Sequence, residues 1–272
     1  MRKFIWFVFI LFFISGNFIS CKRKDKGDPP AFILSETMLI DFSNFITASR
    51  SAENNFTVKG TETYNWETAA EIAAPWRTLT SETLLVPISA YKAASGQKVS
   101  HVSGGKWEWN YNVNVGGAIY KTRLTGEISG AQVNWEMYVS RDGSGGFSEF
   151  KWLDGTSNAG GTEGKWTFNK DFSNQTALLQ IDWIRTGTNI EKIKYTYLQD
   201  GQGKNAYIEF GAASGSFDYY YAVHYYNTSI GRFSDANIEW IRSSGAGRIK
   251  SADYLNGVWK CWDAQKKDTE CN

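Results

Sequence analysis

The sequence predicts a mainly β protein, an antiparallel up-and-down meander of about ten to twelve strands with short helices near the N-terminus. After Gly104, apolar and polar residues alternate in short segments that glycine or Asn/Asp turns separate. Aromatic residues make up 16% of the chain, and it has 26 Gly but 4 Pro, which suits strands joined by glycine turns. Helical periodicity is confined to the residues before this alternation.

Three segments have helical signals. Ser35 precedes the stripe Met38, Leu39, Phe42, Phe45 and Ile46, which predicts an amphipathic helix. An alanine-rich segment, 65–74, predicts a second helix that Pro75 ends. The segment 87–95 starts with proline in a first turn and stops at Gly96, which predicts a third helix.

The meander follows these helices. We place its strands at residues 106–115, 118–129, 131–141, 147–154, 163–169, 177–186, 190–199, 205–211, 216–227, 233–243, 247–252 and 256–262. Short connections imply antiparallel neighbours. A sheet with this many strands must curl, close or split into two layers, so we expect a barrel, a half-barrel or a sandwich.

The N-terminus has the features of an export signal. Arg2 and Lys3 precede an apolar run from Phe4 to Ile14, which is shorter than the ~20 residues of a membrane-spanning helix. The residues Phe18, Ile19, Ser20 and Cys21 follow, and the motif resembles the lipobox of bacterial lipoproteins. An ordinary secretory peptide and an uncleaved anchor are the alternatives for this segment.

The lipobox resemblance implies that Cys21 is acylated and becomes the mature N-terminus. Three acyl chains, as such lipoproteins carry, would bind a membrane more firmly than one chain. A residue other than Asp after the cysteine, here Lys22, implies export to the outer membrane of a Gram-negative bacterium. We therefore expect a lipid-anchored protein of the cell envelope, with its membrane contact made through this anchor.

The resulting domain scheme has three parts. We expect residues 1–20 to be the signal peptide and 21–34 a flexible tether. Residues 22–30 consist only of Lys, Arg, Asp, Gly and Pro, which cannot bury enough apolar surface to become ordered. Residues 35–272 form a single β-rich domain, helical over 35–100 and a meander over 104–272. The length of this segment fits one large all-β domain.

The net charge and the cysteines limit the kinds of partner and site that we expect. The formal net charge is +1, so the chain has no overall field for recruiting nucleic acid. With Cys21 acylated, Cys261 and Cys271 remain in an oxidising compartment, and we expect a disulfide between them. Their spacing matches no common zinc pattern and no histidine accompanies them, so we expect no metal site.

Two aromatic patterns bear on binding. Val133 and Trp135, Ile181 and Trp183, and Ile238 and Trp240 each place an aliphatic residue and a tryptophan on one strand face, which predicts that these side chains point into the core. The alternative is an exposed platform for sugar rings.

The segment 217–226 is aromatic on both faces. Tyr219, Tyr221 and Tyr225 share one face and His224 lies on the other, because side chains alternate along a strand. Both faces are therefore expected to pack against something, and these four residues are the candidate wall of a ligand pocket.

The overall plan is similar to lipocalin-like barrels and to the carrier proteins that move lipoproteins across the periplasm, without a shared motif. We therefore expect a non-catalytic envelope protein that binds or shields an apolar small molecule. A carbohydrate-binding sandwich that binds a glycan and an envelope scaffold are the alternatives.

Enzymatic signatures are absent from the sequence. It contains two histidines, His101 and His224, and no nucleophile elbow, zinc-protease motif, phosphate loop or dinucleotide fingerprint. Paired carboxylates for glycoside hydrolysis would have to come from Glu136, Asp154, Asp182 or Glu239. We expect no catalytic residues and no cofactor.

Overall fold

The computed structural model describes residues 27–46 and 63–271. Fourteen strands form one sheet in sequence order, and every neighbouring pair is antiparallel. The predicted mainly β meander is therefore confirmed. The sheet is not closed, and β1 and β14 form its two edges.

The strands are β1 Val99–Ser103, β2 Lys106–Val115, β3 Ala118–Ser129, β4 Gln132–Arg141, β5 Phe147–Asn158, β6 Glu163–Asn169, β7 Ala177–Thr186, β8 Asn189–Tyr197, β9 Tyr207–Ala212, β10 Tyr219–Asn227, β11 Arg232–Trp240, β12 Gly247–Ser251, β13 Lys260–Trp262 and β14 Asp268–Thr269. The strands β2 to β13 correspond to the twelve predicted ones. Sequence reasoning missed β1 and β14, because β1 is a mostly polar edge strand and β14 has two residues.

The helices precede the sheet in the chain. Helix α1 is Tyr64–Thr78 and α2 is Leu85–Ala94, with a π-helical turn, Leu79–Thr83, between them. Short 3₁₀ turns occur at Ser35–Met38, Ser43–Phe45 and Leu255–Gly257.

The sheet curls around these helices. Helix α2 contacts β2 and β3 near one edge, whereas α1 contacts β12, β13 and β14 near the other. Because consecutive helices reach both ends of the same sheet, its concave face wraps the helical layer. Of the predicted forms, the open and curled sheet corresponds to the half-barrel.

The predicted amphipathic helix over 35–46 is wrong. We call residues 30–46 the strap, because this segment runs across the concave face with an extended backbone between its two 3₁₀ turns. Met38 and Phe45 are buried as the stripe predicts, but Leu39 and Ile46 of the same stripe are exposed. The apolar spacing therefore reflects burial against the sheet and not helical periodicity.

Side chains of the sheet and helices hold the strap in this conformation. The Tyr195 hydroxyl donates to the Met38 carbonyl at 2.7 Å and accepts from the Ile40 N–H at 3.1 Å. The Tyr221 hydroxyl donates to the Asp41 carbonyl. These bonds replace the i to i+4 bonds of a helix, so the buried backbone groups remain paired. Three further donors reach the strap: Trp66 Nε1 to the Asn44 carbonyl, Arg77 Nη1 to the Phe45 carbonyl, and Trp166 Nε1 to Thr37 Oγ1.

The packed part of the chain also begins before Ser35. Residues 27–29 are exposed, but Pro30 and Ile33 are buried. Pro30 lies against Gly126 of β3. A flexible segment over all of 21–34 does not agree with this packing, which the apolar stretch after Pro30 explains.

The predicted helix end at Pro75 is also wrong, because α1 continues to Thr78. Proline removes one backbone donor, which costs the helix its bond to the Glu71 carbonyl. Trp76, the next residue, is buried in the core. The Leu79 N–H again bonds to the carbonyls of Pro75 and Trp76, so the helical path resumes directly after the break.

Glycines serve two purposes in this sheet. Gly104, Gly116, Gly145 and Gly161 lie in the connections between strands and have positive φ angles, which glycine adopts readily. A second set lies inside strands, opposite tryptophans of the concave face. Gly155 is paired with Trp135 on one side and with Trp166 on the other.

The same arrangement recurs along the sheet. Gly126 pairs with Trp107 and Trp135, Gly164 with Trp183, and Gly247 with Trp240 and Trp262. A Cβ on Gly164 would lie 2.6 Å from the Trp183 ring, so the indole occupies the place of the missing side chain. This combination lets large rings fit on the inner side of a curled sheet.

Candidate functional site

A groove of about 680 Å³ lies between α1 and one rim of the sheet. This rim consists of the end of β8, the loop from β8 to β9, the end of β10 with its turn to β11, and the residues after β12. These segments meet because antiparallel neighbours end alternately at the two rims. The volume falls within the range of small-molecule sites.

Helix α1 contributes one face to the groove. Its lining residues are spaced so that they share a helical stripe, and they are Tyr64, Thr68, Glu71, Ile72, Pro75 and Trp76. The opposite face carries Ala69, Ala70 and Ala73, which are buried against the core. The small side chains fix this face against the protein interior, so the larger residues line the groove.

The sheet contributes mainly tyrosines. The lining residues on this side include Tyr197, Tyr225, Tyr226 and Tyr254. The Tyr254 hydroxyl donates to Asn65 Oδ1 at 2.5 Å, and its ring lies 5.5 Å from that of Tyr64. This bond and ring contact join the rim to the start of α1. The groove therefore has aromatic walls held by a packed scaffold.

The charges of the groove are negative. Glu71 and Asp253 line it, and its lining includes no lysine or arginine. Asp253 is paired with Arg232 Nη2 at 2.9 Å. Although Glu71 is an exposed residue, partial desolvation of its carboxylate, followed by repulsion from Glu67, raises its pKa.

The four predicted pocket residues do not meet in one place. Tyr225 lies in the groove wall. Tyr221 is fully buried and is bound to the strap, so it packs in the core. Tyr219 lies at the other end of β10, where Arg242 Nη1 donates to its hydroxyl at 3.3 Å.

His224 lies on the outer face of β10. Its ring stacks between Tyr207 and Phe233, with centroid distances of 5.3 and 4.5 Å. Its Nδ1 is 2.7 Å from Asp235 Oδ1 on the neighbouring strand. His224 therefore belongs to a cross-strand aromatic stack and is separate from the groove.

The tryptophan prediction is confirmed. Trp135, Trp183 and Trp240 are buried on the concave face, together with their aliphatic partners. Within the described residues no tryptophan is classed as exposed. These three tryptophans are therefore not exposed to stack on sugar rings.

The cysteines pair as predicted. The sulfur atoms of Cys261 and Cys271 are within bonding distance, at 2.12 Å, and their Cα atoms are 5.2 Å apart. Cys261 lies on β13 and pairs in register with Thr269 of β14. The disulfide closes the last hairpin of the sheet. Cys21, the predicted lipidation site, is outside the described residues.

The four carboxylates considered for glycoside hydrolysis lie on the outer face. Glu136 and Asp154 are directly opposite on β4 and β5, and Lys151 Nζ is 3.3 Å from a carboxylate oxygen of each. Glu239 binds Arg248 at 2.6 Å, and Gln180 donates to Asp182 at 2.7 Å. Each is neutralised or bonded within a surface network.

No group of three or more His, Cys, Asp or Glu side chains in 27–46 and 63–271 is arranged to hold a metal ion. No helix in these ranges is long and apolar enough to cross a membrane.

Comparisons with protein-family models, with curated proteins and with solved structures found no match to this chain. The candidate site is therefore inferred from its geometry alone. Sequence reasoning found Tyr225 but missed the α1 side of the groove. The signal was present in the spacing of Tyr64, Thr68, Glu71 and Ile72, which recurs at helical intervals beside the alanine face.

Proposed function

We propose that the protein is a lipid-anchored binding protein of the cell envelope, without catalytic activity, that holds an apolar ligand in the groove. The single observation that supports binding is the open space of about 680 Å³ between α1 and the sheet rim. Apolar and aromatic walls with a few polar groups are typical of small-molecule sites.

The ligand site of this proposal differs from the pocket expected inside the sheet. The strap and both helices fill the concave face, where Met38, Tyr91 and Trp166 are buried. An apolar ligand in the groove would instead contact Ile72 on α1 and Tyr225 on β10. The residues proposed to bind are therefore the groove residues and not Tyr219, Tyr221 or His224.

The test is the binding of N-phenyl-1-naphthylamine, an uncharged apolar dye that fluoresces when it leaves water. We expect saturable binding to the purified protein. Replacing Thr68 by Trp should fill the groove and lower the affinity for the dye at least tenfold. Tyr225→Ala should also weaken binding, since it removes an aromatic wall.

Tyr138→Ala is the matched control for Tyr225→Ala, because Tyr138 is a half-buried tyrosine on the outer face of β4. This control should bind the dye as the wild type does. Thermal melts show which variants remain folded. Absence of saturable dye binding to the folded wild-type protein would refute the binding proposal and favour the scaffold alternative.

A further inference from the structure

The groove combines aromatic rings with a carboxylate that has no cationic partner. Arg232 neutralises Asp253, so Asp253 already has its counterion. Glu71 has no ion pair or side-chain hydrogen bond within the described part of the chain, 27–46 and 63–271. Its carboxylate therefore gives the groove a negative charge that no lysine or arginine among the described lining residues cancels.

The backbone carbonyl of Glu71 is a second hydrogen-bond acceptor. Position 75 is four residues after Glu71 and is proline, which has no N–H to donate. The Glu71 carbonyl thus lacks the bond that an α-helix normally provides to it. The helix therefore presents a carboxylate and an acceptor carbonyl close to Pro75, itself a groove residue.

The aromatic walls, like Glu71, favour a positively charged ligand. The face of a tyrosine or tryptophan ring is negative and attracts ammonium groups. Tyr64, Tyr225 and Tyr254 contribute rings to the groove. An anionic ligand such as a fatty acid would meet Glu71 without a cation to offset the repulsion, so the groove discriminates against it.

We propose that the groove selects an amphipathic organic cation, a small molecule with an amine or quaternary ammonium group beside Glu71 and an apolar part against Ile72 and Tyr225. This inference rests on the proposed function, because it names the ligand class of the same groove. The raised pKa of Glu71 agrees with it, since partial burial and repulsion from Glu67 disfavour the negative charge of this carboxylate.

The experiment compares three probes with the same dodecyl chain, each below its micelle concentration: dodecyltrimethylammonium, dodecyl maltoside and dodecyl sulfate. Binding to the purified protein is measured by titration calorimetry. We expect the cation to bind about tenfold more tightly than the neutral probe, a difference within the range of cation–π and charge contributions. Dodecyl sulfate should bind most weakly.

Glu71→Gln should abolish the preference for the cation and leave the affinity for dodecyl maltoside unchanged. Glu127→Gln is the matched control, because it removes the same charge from an exposed position on β3 that does not line the groove. It should retain the preference of the wild type. Glu71→Asp should retain part of the preference, since it keeps the carboxylate.

The outcomes separate this inference from the proposed function. Equal affinities of the wild-type protein for all three probes overturn the cation preference and leave apolar binding intact. A preference that survives Glu71→Gln, or that Glu127→Gln removes equally, also overturns the assignment to Glu71. Binding of none of the probes overturns both proposals.

Discussion

Single tyrosine hydroxyls determine the conformation of the strap. Tyr195 is fully buried, and its hydroxyl satisfies two backbone groups of Met38 and Ile40. The Tyr221 hydroxyl satisfies one further backbone group, the Asp41 carbonyl. An extended segment buried under a sheet needs such partners, because an unpaired buried backbone group costs about 1–3 kcal/mol. Aromatic residues of the sheet therefore replace the hydrogen bonds of the predicted helix.

Tyr195 should make the stability of the protein depend on alkaline pH. Burial raises the pKa of Tyr195 to about 12. The unfolded chain ionises this group at a pH of about 10. The contribution of Tyr195 is therefore complete below pH ~10 and is lost as the pH rises toward the folded pKa.

Tyr195→Phe should lower the free energy of unfolding by about 1–3 kcal/mol at neutral pH, since two buried backbone groups lose their partner. Between pH ~10 and 12 the variant should lose stability less steeply than the wild type, by up to about 1.4 kcal/mol per pH unit. Urea unfolding across this range measures both quantities. Identical slopes would show that Tyr195 is not the linked group.

At the scale of secondary structure, strand glycines and tryptophans act as pairs. Gly155 lies between Trp135 and Trp166, and a Cβ at this position would collide with the Trp166 ring and the Lys165 carbonyl. The neighbouring backbone and a fully buried indole leave little room for adjustment. The glycine is therefore required by packing and not by a turn.

Gly155→Ala should destabilise the fold by about 1–3 kcal/mol, the usual cost of overpacking a core. Gly96→Ala is the matched control, because a Cβ there meets no atom within 4 Å. It should be neutral or stabilising by up to about 1 kcal/mol. Chemical denaturation of both variants measures the difference. Equal stabilities would mean that Trp166 can move to accept the added methyl group.

The strap and α1 show how far periodicity predicts an element. The spacing of Met38, Phe42 and Phe45 correctly identified buried residues, but their backbone is extended and 3₁₀. In α1 the local signal of Pro75 predicted a helix end, and burial of Trp76 in the core overrode it. In both cases a tertiary contact determined the backbone conformation.

At the scale of the whole molecule, the number of residues between Cys21 and the packed domain sets how far the domain could lie from the proposed lipid anchor. Packing begins at Pro30, nine positions after Cys21. An extended chain advances at most about 3.6 Å per residue, so this segment spans at most about 32 Å. If Cys21 carries the lipid, the folded domain must remain close to the membrane surface.

Cys21→Ala should abolish acylation and release most of the protein from the membrane fraction. The physical reason is the loss of the acyl chains that the proposed anchor would carry. Labelled fatty acid and fractionation measure the two effects. Ser20→Thr, which keeps the cysteine, serves as a control that should retain more lipid. Normal incorporation and fractionation of Cys21→Ala would contradict the proposed anchor.

The sequence by itself determined the meander, the inward tryptophans and the pairing of Cys261 with Cys271. These features depend on local alternation and on the few available thiols, which can be read along the chain. It also identified β10 as aromatic on both faces. Its buried residues, Tyr221 and Val223, lie on the concave face, whereas the outer face with His224 is only half-buried.

The tertiary structure alone decided the open curl of the sheet, the path of the strap and the groove. The groove brings Glu71 of α1 beside Tyr225 of β10, residues far apart in the sequence. Likewise, Tyr195 meets Met38 because the sheet curls over the strap, across 157 positions of the chain. Alternation specifies which face of a strand is buried, but it contains no information about which distant segment will cover that face.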